Sequence, residues 1–349
     1  MKNFSLIFFI TLIFFVILNF LIVLLWPIYS ELNSKKHPYI NEQIELLGLS
    51  NKDLITLNKE SWKKYNKFRF VPFIGHTETD LVGKFVNFTE EDGRKIERPE
   101  NCNQNIYLYG GSTTFGYNVT DKQTIGSYLQ EMLGNDYCVF NHGRAYYYSK
   151  QENNLFINHL ELGKKIDKVF FLDGINERCG GYEYDQNISN SFSLFIERPY
   201  LMWKTSLKNF MLTLPAVQFS NSLLGSNRWI HDKNNNILNI EGCMKNVELD
   251  KIFKSRILLR ESVCDKFNID CYSILQPFAG THGIQTRKFL SEDKEEKLRK
   301  KYKILSSVHK VINLGYVLKD DKTLSYIDGV HYSPQSNKKI ASEFNKILN

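Results

Sequence analysis

A serine, an aspartate–histidine pair and two short turns are the residues of this 349-residue chain whose types and spacing point to chemistry. The serine lies in Tyr109-Gly110-Gly111-Ser112-Thr113-Thr114-Phe115-Gly116, where an apolar run opens into a turn whose glycines let backbone approach a ligand closely. Near the other end, Asp328-Gly329-Val330-His331-Tyr332-Ser333-Pro334 puts a carboxylate three residues before an imidazole. In a turn that leads into a helix, this spacing lets the carboxylate hold one ring nitrogen while the other takes the proton of a serine hydroxyl. The two remaining turns are Asn141-His142-Gly143-Arg144 and Asp173-Gly174-Ile175-Asn176-Glu177. The backbone N–H groups of Ser112 and Gly143, with the side-chain amide of Asn176, would supply donors for the oxyanion of an acyl-transfer step.

Each stretch has a plainer reading by itself: Gly-Gly-Ser and Asn176 as ordinary turns, Gly143 as a left-handed hinge, Asp-x-x-His as a cap. Their weight comes from occurring together. His142, His159 and His282 compete with His331 for the base role, and Asp173 with Asp328 for the orienting one. None of those histidines has a carboxylate three residues ahead of it, and His142 fits better as pocket lining. No His, Cys and carboxylate set has metal-ligand spacing, so neither a metal nor another cofactor is expected. A Gly-x-Ser-x-Gly nucleophile elbow would need glycine where Thr114 stands.

These turns must be carried by elements that bring them to one edge. Short apolar runs, Ile106 to Tyr109, Tyr137 to Phe140, Val169 to Leu172 and Cys271 to Leu275, alternate with segments of helical period. Runs apolar on both faces predict a parallel sheet covered by helices on each side, with ligands at the carboxyl ends of its strands. Between Asn176 and Asp270 lies an insertion rich in apolar and aromatic residues, Phe192 to Leu212 among them, expected to pack as an extra helix pair. Ser291 to Tyr302 reads as a solvated helix supported by opposite charges four residues apart, and is assigned no ligand. In the polar and aromatic lead-in, 30–103, Phe68 to Phe73 and Gly83 to Phe88 look like short strands.

Leu6 to Trp26 is apolar apart from Thr11 and Asn19, long enough to cross the roughly 30 Å hydrocarbon layer as a helix. No small-residue cleavage site follows it, so an uncleaved signal anchor is expected, with Trp26 at the interface. Lys2 on one side is matched by Lys35 and Lys36 on the other, so flanking charge does not orient it. Six cysteines, with no Cys-x-x-Cys, suggest the pairs Cys102 with Cys138, Cys264 with Cys271 and Cys179 with Cys243, and hence an oxidising compartment outside the cytoplasm. Sequons at Asn87, Asn118 and Asn187 count for little in an asparagine-rich chain. With 42% hydrophobic and 24% charged residues the body is a folded globule, and a net charge of +7 spread along the chain argues against nucleic acid as a partner.

The four blocks in this order resemble the SGNH hydrolases, or GDSL esterases and lipases, the letters being Ser112, Gly143, Asn176 and His331. The resemblance covers about residues 104–349. It implies an α/β fold, a three-layer flavodoxin-like SGNH hydrolase domain with a parallel sheet and a helical insertion at about 180–265, preceded by the anchor (1–29) and the lead-in (30–103). It also implies Ser112 as nucleophile, Asp328 and His331 as the orienting acid and the base, and Ser112, Gly143 and Asn176 as the oxyanion hole. Ser149, Gln151 and Glu152 look like the usual continuation after the glycine block, and Leu275-Gln276-Pro277 resembles a segment of anchored members. Two departures stand out: Gly-Gly-Ser-Thr replaces Gly-Asp-Ser-Leu, and Glu177 stands where aspartate follows the asparagine. The expected activity is cleavage of an O-acyl ester, acetyl or longer, on a glycan or lipid partner. The alternatives are transfer of the acyl group to a surface polysaccharide, and a non-catalytic surface-binding module.

Overall fold

The computed structural model describes residues 2–34, 40–62, 68–177, 214, 249–279, 292–321 and 323–349. Helix α1 (Lys2–Ser34) includes a stretch, Leu6–Leu25, of mean hydropathy 3.1 that is long and apolar enough to cross a membrane. Its two polar interruptions are satisfied within the helix. The Thr11 hydroxyl donates to the Ile7 carbonyl at 2.9 Å and the Asn19 amide to the Phe15 carbonyl at 2.8 Å, so neither breaks the apolar surface with an unpaired donor.

The second unit begins with α2 (Ile40–Leu47), α3 (Asn51–Trp62) and a hairpin of β1 (Phe68–Val71) and β2 (Gly75–Glu78). Two short strands follow, β3 (Phe88–Thr89) and β4 (Gly93–Arg94), and then β5 (Gln104–Gly110), α4 (Ser112–Phe115), α5 (Ile125–Leu133), β6 (Tyr137–Asn141), α6 (Ser149–Glu161) and β7 (Lys168–Asp173). After the insertion come α7 (Leu249–Phe267), β8 (Asp270–Leu275), α8 (Glu292–Ser306), β9 (Val311–Asn313) and α9 (Pro334–Leu348).

The main sheet has the order β3-β4-β6-β5-β7-β8-β9, and every pairing from β4 to β9 is parallel. In chain order its five long-range strands run 2-1-3-4-5, the flavodoxin-like arrangement, whose ligand crevice lies at the carboxyl ends where the order reverses beside β5. Alternation along the strands explains the two covering layers. Ile106, Leu108, Phe170, Leu172 and Ile274 face one way and pack with Ile125 and Leu129 of α5 and Ile340, Ala341 and Phe344 of α9. Tyr107, Tyr109, Val169 and Phe171 face the other way, against Leu155 and Phe156 of α6 and Cys264 of α7. Each such fully buried apolar side chain contributes about 1.5–3 kcal/mol.

Three expectations need amendment. The lead-in, expected to pack on the domain as a separate segment, also extends the main sheet, because β4 pairs with β6. Gly83 to Phe88 is not one strand: Leu81 bridges Phe88, and the strand proper starts at Phe88. Helix α8 is not solvated all round, for Leu298, Tyr302 and Leu305 bury one stripe against Phe253 and Ile257 of α7. Disulfides join Cys102 to Cys138 and Cys264 to Cys271, with Cα atoms 5.7 Å and 6.1 Å apart. Cys179, Cys243, Asn187, His282, Lys35, Lys36 and Phe192 to Leu212 lie outside the described residues, as does most of the insertion.

Candidate active site

Ser112 opens α4 at the carboxyl end of β5, and the tight turn there explains the glycines before it. A Cβ on Gly110 would lie 2.0 Å from the Thr114 hydroxyl oxygen, and one on Gly111 would lie 2.6 Å from Asn176 Nδ2. The Gly-Gly-Ser departure therefore has a local reason: the asparagine amide occupies the space that a side chain at position 111 would fill. Ser112 itself stays partly exposed, while Gly111, Thr113 and Thr114 are buried.

His331 arrives from the far end of the chain. Its turn is closed by Ile327 N–H donating to the His331 carbonyl at 2.8 Å, and is followed by Ser333, which caps α9 by accepting from Ser336 N–H, with Pro334 at the first helical position. Ser112 Oγ donates to His331 Nε2 at 2.9 Å, and His331 Nδ1 donates to Asp328 Oδ2 at 2.6 Å. The carboxylate fixes which ring nitrogen carries the proton, leaving Nε2 to accept. Asp328 Oδ1 accepts from the backbone N–H groups of Val330 and His331, both at 2.8 Å. Burial by itself pushes the Asp328 carboxyl up, but the neighbouring imidazole and these donors outweigh it and hold the group below its ordinary value.

Asn176 follows β7 and donates through Nδ2 to the Tyr147 carbonyl at 2.9 Å, which spends one of its two N–H bonds and aligns the amide beside Gly111. Gly143 is placed otherwise than expected. It is buried, its N–H donates to Asn141 Oδ1 at 3.0 Å, and a Cβ on it would lie 2.3 Å from Phe115 N. Its part is close packing of the Asn141 loop on α4, and its amide is already engaged. Tyr146, held at φ +62°, is the partly exposed residue of that loop.

The lead-in frames this loop, which sequence reasoning missed. Ala145 N–H donates to Glu78 Oε1 at 2.8 Å, Arg144 Nε to Thr77 Oγ1 at 3.2 Å, and the Tyr147 hydroxyl to the His76 carbonyl at 2.5 Å. From β4, the buried Arg94 donates to Asp121 Oδ1 at 2.7 Å and to the Val119 carbonyl at 2.9 Å, fixing the segment after α4. From the end of α3, Trp62 meets the His331 ring edge-on with centroids 5.5 Å apart. The buried residues His76, Thr77 and Glu78 carried little sequence signal, because their value lies in polar contacts that no periodicity announces.

The rival residues lie elsewhere. His142 and His159 are buried against each other, ring centroids 4.4 Å apart, on the α6 face. Burial first, then neighbouring charge, holds His142 well below its ordinary value and His159 down to about 3, so neither is a base poised near neutrality. Asp173 is bound bidentately by Arg260 at 2.9 Å and 3.2 Å. Glu177, the second departure, accepts from Ser149 N–H at 2.6 Å and Ser149 Oγ at 2.8 Å, and so fastens the first residue of α6 to the end of β7. Among the described residues no group of three or more His, Cys, Asp or Glu side chains is placed to hold a metal ion. A surface groove of about 1010 Å³ between Phe85, Arg98 and Gln130 is lined by none of the three site residues Ser112, Asp328 and His331.

No family model matches the sequence, and no curated protein matches it. Solved structures that it is similar to include an acetyl xylan esterase, at 13% identity over 70% of this chain and 100% of that one, TM-score 0.37. Another is a carbohydrate acetylesterase from Sinorhizobium meliloti, at 12% identity over 70% of this chain and 98% of that one, TM-score 0.38. A member of the lipolytic protein G-D-S-L family from Veillonella parvula matches at 10% identity over 70% of this chain and 98% of that one, TM-score 0.36.

Proposed function

We propose that this chain is a membrane-tethered serine ester hydrolase of the SGNH type. The observation that carries the reading is the continuous bonded path from Ser112 Oγ through His331 to Asp328, at 2.9 Å and 2.6 Å, at the carboxyl edge of a parallel sheet. Ser112 Oγ attacks the ester carbonyl as His331 Nε2 takes its proton. The oxyanion is met by the Ser112 N–H and the second N–H of Asn176. Collapse expels the alcohol, which receives the proton from His331, and leaves the acyl group on Ser112. Water then attacks with His331 again as base, and the carboxylic acid departs.

The substrate of this reading is an O-acyl ester, with acetyl on a cell-surface glycan first and a lipid ester second. The helix over Leu6–Leu25 supports anchoring to the membrane, and the Cys102–Cys138 and Cys264–Cys271 disulfides support a catalytic body in an oxidising space outside the cytoplasm. The test is release of free acetate from acetylated xylan and from a small aryl acetate by wild type and Ser112→Ala. Acid release that needs Ser112 supports hydrolysis. Acyl appearing on an added sugar in place of water moves the reading to transfer, and no turnover of any acyl ester overturns it.

A further inference from the structure

Asp328 is held from outside the four motif blocks, in part by the lead-in. Asn118 is 5% exposed and donates through Nδ2 to Asp328 Oδ2 at 2.7 Å, the oxygen that also accepts from His331 Nδ1. With two backbone amides on Oδ1, these bonds fill the roughly four acceptor sites of a carboxylate and leave it no other orientation. The Asn118 amide is itself oriented, because its Oδ1 accepts from the indole N–H of Trp62. The same indole touches the His331 ring edge-on, and Tyr117 covers that ring with centroids 5.7 Å apart.

We propose that Trp62 and Asn118 are positioning residues that extend the Ser112–His331–Asp328 path into α3, so that docking of this lead-in helix sets the carboxylate and imidazole for proton transfer. The proposal rests on reading Ser112 as a nucleophile. Two features make the path rigid. Asn118 sits at φ +65°, a region that asparagine tolerates better than most residues, in a segment pinned at Val119 by Arg94. Helix α3 is anchored by buried Leu54 and Leu57, and by Glu60, which accepts from the backbone N–H groups of Lys84 and Phe85 at 2.8 Å and of Val86 at 3.0 Å. The sequon at Asn118 is thereby accounted for as a buried structural amide. Neither residue touches the reacting atoms. Among the described residues, the charged or titratable groups around the pair include Tyr117 with Glu78 behind it, Arg94 of β4 paired with Asp121, and Glu60 of α3.

The test measures, on the full-length protein, the fluorophosphonate labelling rate of Ser112 and kcat/KM for an aryl ester between about pH 5 and 9, the span over which an imidazole titrates. The variants are Asn118→Gly, which accepts the φ and deletes both bonds, Asn118→Asp, which sets a second carboxylate against Asp328, and Trp62→Phe, which keeps an aromatic ring but loses the N–H. Wild type labelled at Ser112 establishes the underlying reading independently; wild type left unlabelled ends that reading and this one together. With wild type labelled, Asn118→Gly lowers kcat about tenfold or more at little changed KM, the effect of losing a charge-assisted bond. Asn118→Asp moves the acid limb upward by about one pH unit, because added negative charge favours the imidazolium. Trp62→Phe lowers kcat less than Asn118→Gly does. Folded variants with wild-type rates and an unmoved limb, or rates that fall only in step with the folded fraction, overturn the proposal.

Discussion

Thr113 donates its hydroxyl proton to Gln276 Oε1 at 2.7 Å within the buried interior, across 163 positions of chain, and the next residue, Pro277, accepts from the Tyr332 hydroxyl at 2.6 Å. The neighbour of Ser112 and the neighbour of His331 are thus both fastened to the carboxyl end of β8. That clamp, as much as the 2.9 Å bond itself, keeps hydroxyl and imidazole facing each other. Gln276→Ala leaves the Thr113 hydroxyl buried and unpaired, which costs about 1–3 kcal/mol. Denaturant melts should show that loss, and kcat should fall about tenfold as the Ser112 turn loosens, since 1.4 kcal/mol in the barrier is tenfold. Tyr332→Phe should lower kcat in the same direction.

Asn176 and Gly143 should separate cleanly under substitution. In the proposed mechanism Asn176→Ala removes an oxyanion donor, and it is expected to lower kcat by about 10²–10³ with little effect on stability. Gly143→Ala would set a Cβ 2.3 Å from Phe115 N, so its first effect is on stability. Steady-state kinetics together with thermal melting distinguish the two. A large kcat loss in a Gly143→Ala protein of unchanged melting temperature would return that glycine to the oxyanion hole.

Residue type and spacing singled out the serine, the Asp-x-x-His pair and Asn176, and the fold brings them together because a parallel sheet collects the turns after its strands on one edge. The four apolar runs became β5 to β8, since runs apolar on both faces can only be central strands. What remained hidden depends on partners distant in sequence. Arg94 looks like any surface cation until the carbonyls around it are placed, and Val311–Asn313 is too short to signal a strand. Gly143 was read as a donor because a sequence cannot show that Asn141 Oδ1 already takes its N–H.

The buried histidine pair predicts the acid limit of stability. Folded His142 stays neutral well below its ordinary value and His159 does so down to about 3, whereas both take protons in the unfolded chain near pH 6.5. The unfolded state therefore binds more protons as pH falls. The stability is present above about pH 6.5 and is lost below it, by about 1.4 kcal/mol per pH unit for each histidine. Urea titrations between about pH 6 and 4.5 measure this slope, and His142→Phe should remove roughly half of the pair's share. An unchanged slope in that variant would contradict the assignment.

The acidic cluster under the sheet edge predicts the opposite limit. Burial first, and then the Asp173 carboxylate, pushes the Glu152 carboxyl well above its ordinary value despite Arg260. A raised folded value gives stability that is complete below the ordinary carboxylate range and declines as pH rises through the folded value. Glu152→Gln copies the protonated form without that decline. Its melting temperature should match or exceed that of wild type at pH 7 and at pH 9, both above the ordinary carboxylate range. A deficit at both pH values would show Glu152 to be ionised in the fold.

The central claim is that Ser112 is a nucleophile made reactive by His331, and intact-protein mass with peptide mapping after exposure to a fluorophosphonate tests it most directly. One adduct per wild-type chain, located on Ser112, absent from Ser112→Ala and slowed by at least about 10³-fold in His331→Ala, is the expected result. Wild type that stays unmodified, or an adduct that persists in Ser112→Ala, would contradict it.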